Sequence, residues 1–145
     1  MNATQTVKNI LLIEDAPSYQ DLMWIAFEEH QINHNLHIVS NATEALNFLR
    51  RTRPYINVPS VDLIILDLDL PGMHGHELLA IIKQDLCFKL IPVIVFTSST
   101  NTQDILTSYR LKANCYLNKP LKLENFFLAV KKTLEFWLNF TQIPG

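Results

Sequence analysis

The sequence predicts an α/β fold: a single doubly wound (βα)5 domain with a five-stranded parallel sheet. Three observations support this prediction. Five short apolar runs recur along the chain, helical patterns lie between them, and three of the runs are continuously apolar. Continuous runs are typical of parallel strands that helices cover on both faces, and strands alternating with helices indicate right-handed β-α-β units. The length of 145 residues suits one domain.

The predicted strands are the apolar runs, most of which consist of Ile, Leu, Val and Phe. The segment before the third strand, residues 53–60, carries two prolines and is therefore predicted to be a loop. In chain order the strands occupy residues 10–13, 36–39, 63–66, 93–96 and 115–117.

Apolar residues at helical spacing predict a helix after each strand. The first, third and fourth helices contain stripes that begin at Tyr19, Leu78 and Ile105. The second helix follows Asn41, and Glu44 three residues later completes a pattern like a capping box. The fifth stripe is the longest and consists of Leu123, Phe126, Phe127, Val130, Leu134 and Trp137.

Composition and charge exclude several classes of protein. The 12 basic and 14 acidic side chains nearly balance, and no basic run is present, which argues against binding to nucleic acid. No apolar stretch approaches the roughly 20 residues needed to span a bilayer. The start of the chain lacks a secretory signal, and two cysteines make neither a disulfide framework nor a metal motif. We therefore expect a cytoplasmic protein that binds neither nucleic acid nor membranes.

Polar side chains follow four of the predicted strands, at the carboxyl edge where sheets of this kind place functional sites. They are Glu14 and Asp15 after the first strand, Asp67 after the third, Thr97 after the fourth and Lys119 after the fifth. Taken singly, such residues are more often helix caps, solvated turns or surface lysines. Their occurrence together at one edge is hard to assign to chance, so the sequence predicts a site there.

These side chain types suit phosphoryl transfer onto a carboxylate. Clustered carboxylates repel one another and need a hard cation with oxygen ligands, which predicts Mg²⁺. The cation lowers the repulsion between an Asp nucleophile and an incoming phosphoryl group. An ammonium and a hydroxyl can stabilise the charge that the transition state carries on its equatorial oxygens.

The chain resembles the receiver domain of bacterial response regulators over about residues 8–137. The spacing carries the resemblance: Asp15, Asp67, Thr97 and Lys119 are separated in turn by 52, 30 and 22 residues. The resemblance implies a flavodoxin-like fold. It also implies that Asp67 accepts a phosphoryl group from a sensor histidine kinase or a phosphotransfer protein, and that Lys119 pairs with that group.

The resemblance implies a metal site, and the chain departs from the family's usual pattern at one residue beside it. The residues that match Glu14 and Asp15 organise Mg²⁺ in the family, together with Asp67 and the backbone carbonyl of Asp69. Many receivers carry a neutral residue where this chain has Asp69. Its side chain is either an ordinary loop acid or a group that alters Mg²⁺ affinity and phosphoryl lifetime.

The resemblance also implies a switch. Thr97 matches the switch hydroxyl of the family, and Tyr116 matches the aromatic residue whose rotamer follows that hydroxyl. Pro120 matches the proline that usually follows a cis peptide bond.

A narrower resemblance is to the stand-alone response regulators that partner cyanobacterial phytochromes. It rests on residues 55–59, 108–117 and 136–138, and it implies a phytochrome-type photoreceptor kinase as partner. We expect an N-terminal tail at residues 1–7, the receiver domain at 8–138 and a C-terminal tail at 139–145. No output domain is expected, so the signal has to leave through the protein's own surface.

The end of the chain predicts a homodimer formed by the last helix and the C-terminal tail. Phe136, Trp137, Leu138 and Phe140 are four large apolar residues within five positions. A helix turns about 100° per residue, so they cannot all face one core. An exposed apolar patch usually marks an interface, and a two-fold dimer would cover it. The alternative is that the tail folds back over its own domain.

Three other functions fit parts of the pattern. A phosphatase resembling the haloacid dehalogenase superfamily would use Asp67 and Asp69, but that family places its nucleophile after the first strand. A flavin-binding module would bring Glu14 and Asp15 against the flavin phosphate. A degenerate receiver would not keep the intact motif. The sequence thus favours a phosphoacceptor protein, not an enzyme beyond its own phosphoryl transfer and autodephosphorylation.

Overall fold

The protein's architecture, taken from a computed structural model that describes residues 6–144, alternates strands and helices throughout. The strands are β1 (Asn9–Ile13), β2 (Asn35–Val39), β3 (Leu63–Leu66), β4 (Val93–Thr97) and β5 (Cys115–Asn118). The helices are α1 (Pro17–Glu29), α2 (Ala42–Arg50), α3 (Gly75–Gln84), α4 (Thr102–Arg110) and α5 (Leu123–Leu134). A π-helix, Glu135–Phe140, continues α5 directly. Each predicted strand is present and agrees with the observed one to within one residue at each end.

The five strands form one parallel sheet in the order β2-β1-β3-β4-β5, which confirms the predicted fold class. Strand β1 has β2 on one side and β3 on the other, so the strand order reverses there. At this switch point Ile13 pairs with Leu66. The residues that follow β1 and β3 are thereby brought side by side at the carboxyl edge of the sheet.

Helices cover both faces of the sheet, which explains why several strands are apolar at every position. In β1, Leu11 and Ile13 belong to the core layer beneath α2 and α3. Ile10 and Leu12, which point the other way, belong to the layer beneath α1 and α5. Burying one such side chain contributes about 1.5–3 kcal/mol, and this two-sided core holds the strand ends in place.

Helix α2 begins at the cap that the sequence predicts. The side chain of Asn41 accepts a hydrogen bond from the backbone N–H of Glu44 at 2.8 Å. The carboxylate of Glu44 accepts in turn from the backbone N–H of Ser40 at 3.0 Å. The return bond thus reaches one residue earlier than in a standard capping box.

The end of the chain differs from the sequence prediction, because the last helix changes to a π-helix after Leu134. Its wider turn rotates successive side chains by less than an α-helix does. Trp137 and Leu138 consequently both pack against the core layer beneath α1 and α5, while Phe136 is 54% exposed. The side chain of Phe140 lies outside the described part of the chain.

The tail beyond the π-helix lies along its own domain. Ile143 lines a pocket with Lys8, next to the start of β1. Pro144 lines another with Asp62, next to the start of β3. The tail therefore crosses the amino-terminal edge of the sheet, opposite to the predicted site. The sequence leaves two arrangements open, an exposed tail that forms a dimer and a tail that folds back over its own domain. The observed course of residues 141–144 corresponds to the second.

The peptide bond before Pro120 contradicts the sequence prediction. In residues 6–144 the cis bond is Arg53–Pro54, and Lys119–Pro120 is trans. The two isomers of an X–Pro bond differ by only about 0.5–1 kcal/mol, so the surrounding packing decides between them and the dipeptide does not.

The sequence predicts no membrane span. Among residues 6–144, none of the helices has the length and apolar character required to cross a bilayer.

Candidate functional site

The carboxylates of the site are held by backbone bonds that extend the sheet past its strand ends. The N–H of Asp67 donates to the carbonyl of Ile13 at 3.0 Å, and the N–H of Glu14 donates to the carbonyl of Val39 at 3.0 Å. Glu14 and Asp67 are buried, 2% and 5% exposed, whereas Asp15 is exposed. The site therefore has a rigid, desolvated floor and one carboxylate at its mouth.

The same three residues fit a hard cation. Glu14, Asp15 and Asp67 each offer a carboxylate oxygen, and these oxygens lie within 4.8 Å of one another. The Oδ1 atom of Asp67 is buried and has no hydrogen-bond partner within residues 6–144. A buried acceptor without a partner is costly, so this oxygen is suited to bind a metal ion or a phosphoryl group. Asp69 is exposed and its side chain is not part of the group.

Lys119 is a buried cation at the centre of the site. Its ammonium contacts the Oε1 atom of Glu14 and lies 3.3 Å from the Oδ2 atom of Asp67. It also lies 3.8 Å from the ring centroid of Tyr19, a cation–π contact on which the sequence alone gave no information. The backbone N–H of Lys119 donates to the carbonyl of Thr97 at 2.8 Å, which anchors the loop after β5.

The charges of the site's own side chains do not balance. Burial raises the pKa of Glu14 to about 7, although the hydrogen bond from Lys119 opposes this shift. The negative charge of Asp67 raises the pKa of Glu14 further. One ammonium therefore does not fully offset the burial and mutual repulsion of the carboxylates, and a bound cation would supply the remaining charge.

Thr97 and Tyr116 meet at the loop that follows β4. Thr97 is completely buried, and its hydroxyl accepts from the backbone N–H of Ser99 at 3.4 Å. The hydroxyl of Tyr116 donates to the carbonyl of Ser99 at 2.9 Å, and the side-chain amide of Asn118 donates to the same oxygen. The predicted switch residues thus both contact Ser99.

Gly75 is a site-supporting residue that the sequence analysis missed. Its N–H donates to the carbonyl of Leu68 at 2.9 Å. A Cβ atom at this position would lie 2.6 Å from Leu68 Cα and 2.7 Å from the carbonyl oxygen of Asp67. Helix α3 can therefore begin directly against the backbone of Asp67 only because residue 75 has no side chain. A glycine three residues before the apolar stripe that begins at Leu78 is the signal that could have indicated this contact.

Comparison with known proteins gives consistent matches along nearly the whole chain. The family model of the response regulator receiver domain matches residues 10–131. The response regulator Rcp1 of Synechocystis sp. is 40% identical over 138 residues, covering 95% of this chain and 94% of Rcp1.

Two solved structures of cyanobacterial proteins share the fold at similar identity. The phosphorylated phytochrome response regulator RcpA is 39% identical with a TM-score of 0.91, covering 97% of this chain and 100% of RcpA. The Mn²⁺-bound form of Rcp1 is 40% identical with a TM-score of 0.88, covering 95% of this chain and 99% of Rcp1. The alternative of a phosphatase that uses Asp67 and Asp69 finds no support in these matches.

Proposed function

The chain belongs to the response regulator receiver domain family, and from this premise we propose that it accepts a phosphoryl group on Asp67 from a sensor histidine kinase or a phosphotransfer protein. The observation that carries the proposal is the unpartnered, buried Oδ1 atom of Asp67, beside Lys119 and two further carboxylates. Because such kinases use ATP, the proposal places the protein in the cytoplasm. Intact mass after incubation with Mg²⁺ and a phosphoryl donor tests it, because phosphate incorporation should be lost in Asp67→Asn.

The proposed transfer uses the groups at the carboxyl edge. A carboxylate oxygen of Asp67 attacks the phosphorus of a phosphohistidine; a P–O bond forms, the P–N bond breaks, and the imidazole leaves with the electron pair. Lys119 and the hydroxyl of Thr97 stabilise the phosphoryl oxygens. Glu14, Asp15 and Asp67, together with the backbone carbonyl of Asp69, would hold Mg²⁺, which would supply positive charge against the transferred group. Attack by water on the same phosphorus later releases phosphate and restores the carboxylate.

A phytochrome-type photoreceptor kinase is the partner that we propose. The support is the similarity to Rcp1 and to the phytochrome response regulator RcpA, each of which matches almost its full length. We further propose that the kinase docks beside the acceptor, where α1 meets the loop before α5. Tyr19, Leu22, Leu121 and Phe126 help to line a groove of about 260 Å³ there. Leu121 is fully exposed at the rim of this groove.

A charge placed on that rim should weaken phosphoryl transfer from the kinase but not from a small-molecule donor. Leu121→Asp is expected to lower the rate of transfer from a phosphorylated phytochrome kinase about tenfold, since losing an apolar contact and burying a charge against the partner costs about 1.4 kcal/mol. Labelling by acetyl phosphate should be unchanged. Leu86→Asp is the matched control, because Leu86 is also highly exposed but follows α3 at the opposite edge of the sheet. Equal transfer rates for the two variants would contradict the docking proposal.

The family's switch is proposed for Thr97 and Tyr116. Once a phosphoryl group is on Asp67, the Thr97 hydroxyl can move toward its oxygens and leave the N–H of Ser99, which changes the loop that Tyr116 contacts. Thr97→Ala should therefore keep most of the phosphate incorporation but reduce the change in the Tyr116 NMR signals. Thr100→Ala, which alters an exposed threonine of the same loop, should leave that change intact. A full Tyr116 response in Thr97→Ala would rule out this hydroxyl as the trigger.

A homodimer through the last helix and the C-terminal tail remains our proposal for the signalling surface. Fewer exposed apolar side chains support it than the sequence predicts, because Trp137 and Leu138 pack against the core. Leu128 and Phe136 stay exposed, and their spacing of eight positions places them near one stripe of the last helical segment. Two such stripes meeting across a two-fold axis would cover each other.

Sedimentation at micromolar concentration measures the proposed dimer. The variant Leu128→Glu/Phe136→Glu should sediment as a monomer, because four like charges would face one another across the axis. Ile56→Glu, a change at an exposed apolar residue in the loop between α2 and β3, should not alter the association state. A monomer in both phosphorylation states of the unsubstituted protein would refute the dimer.

A further inference from the structure

Helices α3 and α4 are joined by a hydrogen bond that has no part in the proposed phosphoryl transfer. The Nε2 atom of His76 lies 2.9 Å from the hydroxyl of Ser108, across 32 residues of sequence. Ser108 is completely buried, and His76 is half-buried. A buried hydroxyl is costly without hydrogen-bond partners, and His76 supplies one to Ser108 across the contact between the two helices.

The partners of Ser108 determine which atom of this pair donates. The Ser108 hydroxyl also lies 2.7 Å from the carbonyl of Asp104, which can only accept. A hydroxyl has one proton, so Ser108 donates it to Asp104 and accepts from His76. His76 therefore carries its proton on Nε2, and the imidazole is a donor aimed at α4.

His76 is rigidly connected to the acceptor residue. It directly follows Gly75, whose N–H bonds the carbonyl of Leu68 and whose Cα packs against the backbone of Asp67 and Leu68. The backbone N–H of His76 is itself capped by the side chain of His74 at 3.1 Å. The position of the His76 ring thus follows the backbone of the acceptor loop.

Ser108 is connected, through α4, to the loop that the switch residues share. The Asp104 carboxylate accepts from the hydroxyl of Ser99 at 2.6 Å. The carbonyl of Ser99 is the group that Tyr116 and Asn118 bind. One unbroken set of contacts therefore runs from the Asp67 backbone through α3 and α4 to the Ser99 loop, apart from the route through Thr97.

We propose that His76 is a positioning residue that ties α4 to the acceptor loop, so that the orientation of α4 and of the Ser99 loop follows the state of Asp67 through the His76–Ser108 hydrogen bond. This inference rests on the proposed phosphorylation of Asp67. Thr97 senses the phosphoryl oxygens directly, whereas His76 transmits the position of the backbone beneath them. Both routes end at Ser99: Thr97 contacts its backbone N–H, and Asp104 accepts from its hydroxyl. Each therefore biases the same loop.

The test compares variants at equal phosphate occupancy. His76→Leu removes the donor, Ser108→Ala removes the acceptor, and His76→Gln keeps an amide N–H that can reach Ser108. Glu77→Gln is the matched control, on an exposed position of the same helix. Each protein is treated with Mg²⁺ and acetyl phosphate, intact mass reports the fraction phosphorylated, and amide NMR shifts of α4 and Tyr116 report the response. Nitrogen-15 NMR of the imidazole checks that the His76 proton is on Nε2.

We expect His76→Leu and Ser108→Ala each to lose roughly half or more of the α4 shift change, and the double variant to lose no more than either single one. His76→Gln should recover much of the change, which a purely structural role in stability would not explain. A full α4 response in His76→Leu, or additive losses in the double variant, would overturn the inference. Absence of any phosphate on the unsubstituted protein would instead contradict the proposed function.

Discussion

Replacing Asp67 by Asn should abolish phosphate incorporation. The substitution keeps the size of the side chain but replaces the nucleophilic carboxylate by a neutral amide, which is a far poorer nucleophile toward phosphorus. It also removes the negative charge of one of the three carboxylates whose oxygens lie within 4.8 Å of one another. Intact mass after incubation with Mg²⁺ and either acetyl phosphate or a phosphorylated kinase measures the result.

Asp69→Asn is the matched control for this experiment. It makes the same chemical change two residues along, at an exposed carboxylate outside the metal-binding group. We expect this variant to accept phosphate, with the phosphoryl lifetime showing whether the Asp69 side chain affects hydrolysis. Undiminished incorporation in Asp67→Asn, or loss in Asp69→Asn alone, would overturn the assignment of Asp67 as acceptor.

The second large effect is expected on stability. Lys119→Met should lower the free energy of unfolding of the metal-free protein by about 3–5 kcal/mol, because it leaves the buried carboxylates of Glu14 and Asp67 without their shared cation. Met preserves the length and volume of the side chain, so lost packing is a minor part of the change. The raised pKa of Glu14 places the effect toward the lower end of this range, since that carboxyl can take up a proton.

Mg²⁺ should stabilise Lys119→Met more than it stabilises the unsubstituted protein. In the latter, the Lys119 ammonium already contacts two of the three carboxylates that would hold the cation, and the two positive charges oppose each other. Binding to the folded state alone contributes about 2.7 kcal/mol at a hundredfold excess over the dissociation constant. Urea unfolding with and without millimolar Mg²⁺ measures both quantities.

Lys122→Met provides the control, because Lys122 is an exposed lysine three residues away and should show neither effect. An equal Mg²⁺-dependent gain in Lys119→Met and in the unsubstituted protein would mean that lysine and cation do not share the carboxylates. No gain in any of the three proteins would contradict the metal site itself.

The sequence by itself determined the elements and the edge at which the site lies. Runs such as Ile10–Ile13 are apolar at every position because both faces of their strand are covered, and this periodicity is readable without coordinates. The residues that follow the strands then have to meet at the carboxyl edge, because all strands of the sheet are parallel. Glu14, Asp15 and Asp67 were found in this way, and the structure brings their oxygens together.

Only the tertiary structure decided the features that depend on contacts between distant residues. Lys119 reaches Glu14 across 105 residues, and His76 reaches Ser108 across 32, so no local pattern reports either bond. The isomer of the peptide bond before Pro120 and the change to a π-helix after Leu134 each involve only a small difference in local free energy. The packing around them therefore decides the outcome. Periodicity along a chain records which face is buried, whereas the identity of the neighbour across that face is set by how the elements pack.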